Sequence, residues 1–322
     1  MTGRTRGVIG LFFAVSLLSV RGVGQEERLT EEEAKKKLEA MFNDPEFRDG
    51  YPVHVLAEQV AKADIHFFVP YLHHSSSRVR SSVIVMLSRF GRPEFAALFL
   101  EMLEDEDHNV AKAAMGCMYQ NDDFRAFLAK MDREVVREAL VKYLRKSNNT
   151  LTALLLAELG ETSTADELYE MYLSLPVPEG RGWSFYVRKG GSKTDLLKAL
   201  MKMEDPRGVV ECRKLLSSGG VNEILTGTMA MVYANEKSLM PLLLPLLEDE
   251  RRAAWTMEGL PPLEVCDVAA CTILKVLDVR PKLFKRIDFH GATEKELGEV
   301  RQLVLDFLEK EGQQKGEAEG GE

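Results

Sequence analysis

Two stretches of this chain repeat one apolar pattern at an offset of about thirty residues, and this repetition constrains the fold most strongly. Residues 69–91 read VPYLHHSSSRVRSSVIVMLSRFG, and residues 100–122 read LEMLEDEDHNVAKAAMGCMYQND. Each copy predicts a helix, a polar turn and a second helix with apolar residues at every fourth position. The aligned residues are Leu72, Val79, Val83 and Leu87 in the first copy and Leu103, Val110, Ala114 and Met118 in the second. Such a helix pair cannot bury its own apolar face, so neighbouring pairs must stack.

The rest of the chain continues this arrangement with less fidelity. Almost every segment after residue 28 has helical periodicity, and strand-like alternation is nearly missing, which predicts an all-α fold. In the last pair, Val265, Ala269 and Ile273 keep the spacing of the first copy. The later pairs are expected at 133–147 with 151–161, 164–175 with 194–203, 205–219 with 222–235, and 237–249 with 263–277.

Several helix boundaries can be read directly from the sequence. A threonine followed three residues later by a glutamate is a capping box, which begins a helix. Pro241 and Pro245 should kink or break the helix of residues 237–249. The capping boxes are expected at Thr30 with Glu33, Thr164 with Glu167, and Thr293 with Glu296.

The repeated segments resemble HEAT repeats, including the short HEAT-like repeats of the phycobilisome-lyase type. Residues 75–91, SSSRVRSSVIVMLSRFG, have the polar turn, the Val-Arg step and the small residues of that pattern. Residues 107–119 and 264–274 keep the valine and the small residues but lack the arginine. The resemblance covers roughly residues 55–280. It implies an armadillo-like α–α superhelix, a solenoid of stacked antiparallel helix pairs, and it says little about activity.

The ends of the chain are expected to lie outside the repeat domain, which we predict over residues 28–292. Residues 1–24 have two early arginines, an apolar segment and small residues before Gln25, as in a secretory signal peptide. An uncleaved anchor is the alternative. Residues 293–308 predict a C-terminal capping helix, and the acidic tail 309–322 lacks apolar periodicity and should be disordered. We therefore expect an exported protein, periplasmic or secreted, without stable membrane insertion after cleavage.

Charge excludes one class of partner. The formal charge is −9, and removing residues 1–24 makes it −12 because that segment contains three arginines and no acids. Binding to phosphate backbones requires a basic footprint. Nucleic acid is therefore not an expected partner.

An insertion at residues 176–193 interrupts one helix pair with glycines, aromatic residues and bases. Aromatic side chains beside cations can stack on a ligand or anchor a protein interface. The alternative is a loop whose aromatic residues fold back onto the helix ends. The candidate binding residues are Arg181, Trp183, Phe185, Tyr186, Arg188 and Lys189.

The motifs that could support catalysis or metal binding are weak. Cys266 and Cys271 lie about 140° apart on a helix, so they cannot bind one metal ion together. The four cysteines fit small buried residues, although a bridge between Cys117 and Cys212 remains open. The turn histidines His73 and His74 and the acidic turns 101–109 and 247–252 fit solvated surface, with aspartates as helix caps. We expect no catalytic residues, metal or cofactor.

The sequence thus predicts a scaffold that binds a protein or peptide partner on its concave face, which the second helices of the pairs line. The insertion would add specificity. The alternative is a lyase-like HEAT enzyme or enzyme accessory that acts on a bound cofactor or a modified protein. That alternative requires an accessible thiol at Cys117.

Overall fold

The computed structural model describes residues 29–47, 51–90, 92–176, 193–254, 263–279 and 292–319. The fold is all-α, with one short antiparallel pair of strands in the described ranges, β1 (Arg252–Ala254) and β2 (Leu263–Glu264). Four segments are 3₁₀-helical: Ile65–His73, Met102–Glu104, Lys237–Leu243 and Pro245–Glu248. The α-helices are α1 (Glu31–Phe42), α2 (Tyr51–Asp64), α3 (Ser77–Arg89), α4 (Phe95–Glu101), α5 (His108–Gln120), α6 (Asp122–Leu128), α7 (Arg133–Ser147), α8 (Thr150–Glu158), α9 (Ala165–Ser174), α10 (Lys193–Lys202), α11 (Pro206–Ser217), α12 (Val221–Ala234), α13 (Val265–Val276) and α14 (Glu294–Glu319).

The chain forms two compact units, and the boundary falls between Val69 and Pro70. In the first unit, α1 packs against α2 and buries Leu38 and Phe42. The capping box at Thr30 is confirmed, because the Glu33 amide donates to Thr30 Oγ1 at 3.3 Å and Glu33 Oε2 accepts from the Thr30 amide at 2.8 Å. The repeat domain predicted over residues 28–292 spans the boundary between the units.

In the second unit, each second helix contacts the second helix of the next pair. This row, which we call the second-helix layer, consists of α3, α5, α8, α10, α12 and α13. The first elements pack on their own partners, with α4 on α5, α7 on α8, α9 on α10, and α11 on α12. The repeat positions from the sequence are all buried, namely Leu72, Val79, Val83, Leu87, Leu103, Val110, Ala114, Met118, Val265, Ala269 and Ile273.

Helix α8 lies deepest in this layer. Residues 152–157 are all buried, and Glu158 at the end of the helix is exposed. A helix that is apolar on every side must be surrounded by other elements. Helices α5, α7 and α10 contact it.

The region after residue 120 contains a helix that the repeat pattern does not predict. Asn121 caps the short helix α6 by accepting from the amides of Asp123 at 2.9 Å and Phe124 at 3.3 Å. Phe124 is fully buried and meets the ring of Phe99 edge to face at 5.4 Å. This added helix explains why the repeat spacing lengthens here.

The remaining boundary predictions have mixed outcomes. Pro241 lies inside one 3₁₀ segment and Pro245 begins the next, so the predicted break at these prolines is confirmed. The capping box at Thr293 is also confirmed, because the Glu296 amide donates to Thr293 Oγ1 at 3.3 Å.

The capping box predicted at Thr164 is wrong. The Thr164 backbone has φ −95° and ψ 4°, whereas a capping residue usually has an extended backbone. Its hydroxyl is buried and has no hydrogen-bond partner among the described residues. Glu167 instead pairs with Arg145 of α7 at 3.1 Å.

The C-terminal helix is longer than the sequence predicts. The capping helix was expected over 293–308 with disorder beyond it, but α14 continues through Glu319. Glutamate, lysine and glutamine continue a helix at little cost, even without an apolar stripe. Val300 and Val304 of α14 are buried, and the helix contacts α13. None of the helices in the described ranges is long and apolar enough to cross a membrane.

A buried ion pair joins the first two repeats. The Arg80 guanidinium donates to both carboxylate oxygens of Asp105 at 2.7 Å and to the carbonyl of His74 at 2.8 Å. Both side chains of the pair are 7% exposed. The acidic turn at 101–109 was expected to be solvated, and Asp105 departs from that expectation because it neutralises an arginine of the preceding repeat. Asp107 does cap α5, since it accepts from the Asn109 amide at 2.8 Å.

We predict that Arg80→Met lowers the free energy of unfolding by about 3–5 kcal/mol, because it leaves Asp105 buried without a counter-charge. The exposed pair of Lys142 with Glu104 gives the control. Lys142→Met should cost less than about 1 kcal/mol. Urea denaturation followed by circular dichroism measures both, and equal effects would contradict the assignment.

Helices α10 and α11 cross at a glycine. A Cβ on Gly208 would lie 2.9 Å from the Met201 backbone nitrogen, and backbone cannot move aside as a side chain can. The crossing therefore requires glycine at this position.

We predict that Gly208→Ala destabilises the protein by about 1–3 kcal/mol through overpacking. Gly116 of α5 is the matched control, because a Cβ there meets nothing within 4 Å. Gly116→Ala should stabilise the helix by about 0.5–1 kcal/mol. Thermal unfolding distinguishes the two, and a neutral or stabilising Gly208→Ala would show that the crossing is looser than described.

Candidate functional site

The candidate binding residues of the insertion, Arg181, Trp183, Phe185, Tyr186, Arg188 and Lys189, lie outside the described residues. The structure does describe both ends of this segment. Lys193, the first residue of α10, donates from Nζ to the carbonyl of Leu175 at 2.9 Å. Burial lowers the pKa of Lys193, against the opposing effect of the Glu211 charge. The two ends of the insertion are thus joined by the ammonium group of the half-buried Lys193.

Four stacked side chains form a ladder beside this junction. The ring of Tyr169 stacks on Tyr172 at 6.2 Å with an interplanar angle of 12°. Lys193 Nζ lies 4.4 Å from the Tyr172 centroid, and Arg207 Cζ lies 4.7 Å from the Tyr169 centroid. Cations over tyrosine faces are attracted by the ring quadrupole. The ladder holds α9, α10 and α11 together, and its aromatic faces carry the protein's own cations.

Cys117 and Cys212 are not joined by a disulfide, so the bridge left open by the sequence is not formed. Burial raises the pKa of Cys117 and raises that of Cys212 to about 12. A thiol is nucleophilic only as its thiolate, and both groups are therefore poor nucleophiles at neutral pH.

One group in the described part of the chain has the spacing of metal ligands: Glu264, Cys266 and Asp267, whose ligand atoms lie within 4.8 Å of one another. Asp267 is fully buried and accepts from the amides of Glu264 at 3.1 Å and Ala292 at 2.9 Å. Burial, together with the neighbouring carboxylates, raises the pKa of the Cys266 thiol to about 11. The Asp267 carboxylate therefore ties the start of α13 to the residues before α14.

The turn histidines also have local roles. His74 Nδ1 accepts from the Ser76 amide at 3.1 Å, and its carbonyl accepts from Arg80. His73 and His108 are exposed. Within the described ranges, histidines contribute to no group of potential metal ligands.

A small apolar cavity of about 70 Å³ lies between α6, α7 and α8. Leu128, Val136 and Leu156 are among the residues that line it. Arg133 at its rim donates to the Gly160 carbonyl at 3.0 Å and lies 3.5 Å from Glu161. The polar groups of the rim are thus already paired, and the cavity offers no specific polar contact.

Four polar side chains lie together on the second-helix layer, and we call them the tyrosine–glutamate cluster. They are Tyr119 of α5, Glu158 of α8, Lys198 of α10 and Tyr233 of α12. Tyr233 donates from its hydroxyl to Glu158 Oε1 at 2.6 Å. Tyr119 and Tyr233 lie close enough that each hydroxyl affects the pKa of the other. Helices α5 and α12 are separated in the layer by α8 and α10, so their tyrosines meet across two intervening helices.

The donor and acceptor roles in the tyrosine–glutamate cluster follow from the number of protons that each group carries. A phenol has one proton to donate, and Tyr233 gives it to the carboxylate. The Tyr233 oxygen then remains an acceptor. Burial raises the pKa of both tyrosines, and the hydrogen bond to Glu158 raises that of Tyr233 further. Both phenols therefore stay protonated at neutral pH.

Two cations lie over the tyrosine rings, Lys198 of the cluster and Arg125 beside it, and each has its own acid. Lys198 Nζ lies 5.9 Å from the Tyr233 centroid and 3.6 Å from Asp195. Arg125 Cζ lies 5.7 Å from the Tyr119 centroid, and its guanidinium pairs with Asp122. Glu158 itself is exposed. Aromatic surface, hydroxyls and both signs of charge therefore meet beside the buried residues 152–157 of α8.

Sequence reasoning missed this cluster. Its members come from four helices and lie far apart along the chain, at positions 119, 158, 198 and 233. A usable signal was present, because a glutamate ends the otherwise apolar run of α8.

Comparison with known proteins assigns the chain to no family. No family model matches the sequence, and no curated protein matches it significantly.

We predict that the protein loses stability as the pH rises above about 10, where unfolded tyrosines ionise. Burial raises the pKa of four tyrosines in the folded state, namely Tyr119, Tyr143, Tyr172 and Tyr233. The folded state therefore keeps these phenol protons at a pH where the unfolded chain loses them. Their stabilisation of the folded state is fully present below about pH 10 and is lost above it. Urea unfolding at increasing pH measures the loss of stability. In Tyr233→Phe, the free energy of unfolding should fall less steeply with pH. Full phenolate absorbance in the folded protein near pH 10 would contradict this.

Proposed function

We propose that this protein is an exported scaffold that binds a protein or peptide partner along its second-helix layer. In this proposal the stacked helix pairs are HEAT-like repeats and form a superhelix whose concave face is that layer. The repeated apolar positions, all of them buried, and the contacts between successive second helices support the proposal. Partner binding is a common use of stacked helical repeats.

The observation that carries the proposal is the tyrosine–glutamate cluster. Residues 152–157 of α8 are all buried, and most of α10 is buried as well. A partner therefore reaches the middle of the layer at the partly exposed Tyr119 and Tyr233 and the exposed Glu158. Tyrosines contribute strongly to binding because they offer apolar area and a hydroxyl at a low cost in entropy.

The insertion at 176–193 adds specificity in this proposal through Arg181, Trp183, Phe185, Tyr186, Arg188 and Lys189. Its described ends support that role, because the contact of Lys193 with Leu175 fixes where the segment leaves and rejoins the helices. Loops inserted into stacked repeats often supply binding contacts.

Export and an acidic mature charge complete the proposal. The signal peptide of residues 1–24 is inferred from the sequence alone, and the periplasm or the extracellular medium is the proposed location. A charge of −12 for the chain after residue 24 favours protein or peptide ligands over nucleic acid.

The lyase-like enzymatic alternative is less favoured. It needs an activated thiol, whereas burial raises the pKa of Cys117.

We predict that peptides selected from a random library against residues 25–322 lose affinity at least about tenfold with Tyr119→Ala or Tyr233→Ala, a loss of about 1.4 kcal/mol. Both substitutions remove aromatic contact area and a hydroxyl group. Isothermal titration calorimetry measures the affinities. The matched control is Tyr71→Ala, a half-buried tyrosine outside the second-helix layer, which should bind normally. Equal peptide affinity in all three variants would show that the tyrosine–glutamate cluster does not contribute to peptide binding.

A further inference from the structure

We propose that Glu158 is the receptor for a cationic side chain, an arginine or a lysine, presented by the bound peptide. This inference rests on the proposed function and adds the chemistry of the ligand to it. The site is the carboxylate at the exposed end of α8, with the tyrosine–glutamate cluster around it.

The position of Glu158 in the helix is electrostatically unfavourable without a ligand. It is the last residue of α8, where the helix dipole already places partial negative charge. Acids are favoured at the first turn of a helix and cations at the last. A carboxylate here therefore gains most from a cation that arrives from outside the helix.

The nearby acids are neutralised, whereas Glu158 is not. Asp195 has Lys198 at 3.6 Å, and Asp122 pairs with Arg125. In the described ranges, no lysine, arginine or histidine comes within ion-pair distance of the Glu158 carboxylate. From the described part of the chain, only Tyr233 donates a hydrogen bond to Glu158, which orients the carboxylate without cancelling its charge.

This hydrogen bond leaves acceptors for an incoming donor. Tyr233 donates its proton to Glu158 Oε1, and within the described ranges no donor reaches the second oxygen of this carboxylate. An ionised carboxylate accepts several hydrogen bonds and matches a guanidinium in a bidentate manner. The faces of both tyrosines attract cations, as their contacts with Arg125 and Lys198 show.

The test uses residues 25–322 with ring-labelled tyrosine and two small probes, N-acetyl-L-arginine amide and N-acetyl-L-citrulline amide. Citrulline keeps the shape of arginine and lacks its charge. In NMR titrations, we expect the arginine probe to shift the Tyr119 and Tyr233 signals saturably. The citrulline probe should shift them at least about tenfold less, as expected when an ion pair is lost.

Three variants separate the possible causes. Glu158→Gln should abolish the saturable shift. Glu170→Gln, an exposed carboxylate on α9, should leave it unchanged. Tyr233→Phe keeps the carboxylate and loses the orienting donor, so its affinity for the arginine probe should fall while the preference over citrulline remains.

Equal responses to the two probes, or a response that survives in Glu158→Gln, would overturn this inference. Peptide binding that still depends on Tyr119 would then leave the proposed function standing. The opposite result would count against the proposed function alone. In that case the arginine probe still shifts the tyrosine signals saturably, but substitution of Tyr119 or Tyr233 leaves the affinity for the selected peptides unchanged.

Discussion

The structure depends on one constraint, which is that no helix pair of this chain can bury its apolar face by itself. Helix α8 shows this most clearly, because its residues from Thr152 to Ala157 are all buried. Its own partner α7 covers one side, and α5 and α10 of the neighbouring pairs cover others. The pair of α7 and α8 therefore acquires a complete core only when both neighbouring pairs are present. Close approach at Gly208 and the buried Arg80–Asp105 pair then fix how successive elements meet.

The same constraint explains where polar chemistry is possible on the second-helix layer. A helix buried on every side can present polar groups only at its ends. Glu158 occupies such an end, and Tyr119 and Tyr233 reach it from helices on either side of α8 and α10. The cluster is thus a consequence of how tightly the pairs stack. The proposed binding role adds a reason for an acid at the C-terminal end of a helix, where a lysine or arginine would be more stable.

The sequence predicted the elements better than it predicted the contacts between them. Apolar residues at every fourth position identified buried residues such as Val83 and Ala269, because a helix face must match its neighbours throughout. Local chemistry was less reliable, since Thr164 and Thr293 have the same motif and only Thr293 caps a helix. Asp105 belonged to a turn that looked solvated, because its partner Arg80 lies in the preceding repeat. The tyrosine–glutamate cluster was unpredictable for a similar reason: it forms only after four helices have stacked.

Native-state hydrogen exchange of the full chain tests this account most directly. If stacking on both sides completes the core, the amides of α8 and α10 must exchange only through global unfolding, with the highest protection in the protein. The C-terminal helix α14, whose residues 305–311 are mostly exposed, should exchange through smaller openings. Exchange in α8 as fast as in α14 would contradict the claim that the stacked pairs depend on one another.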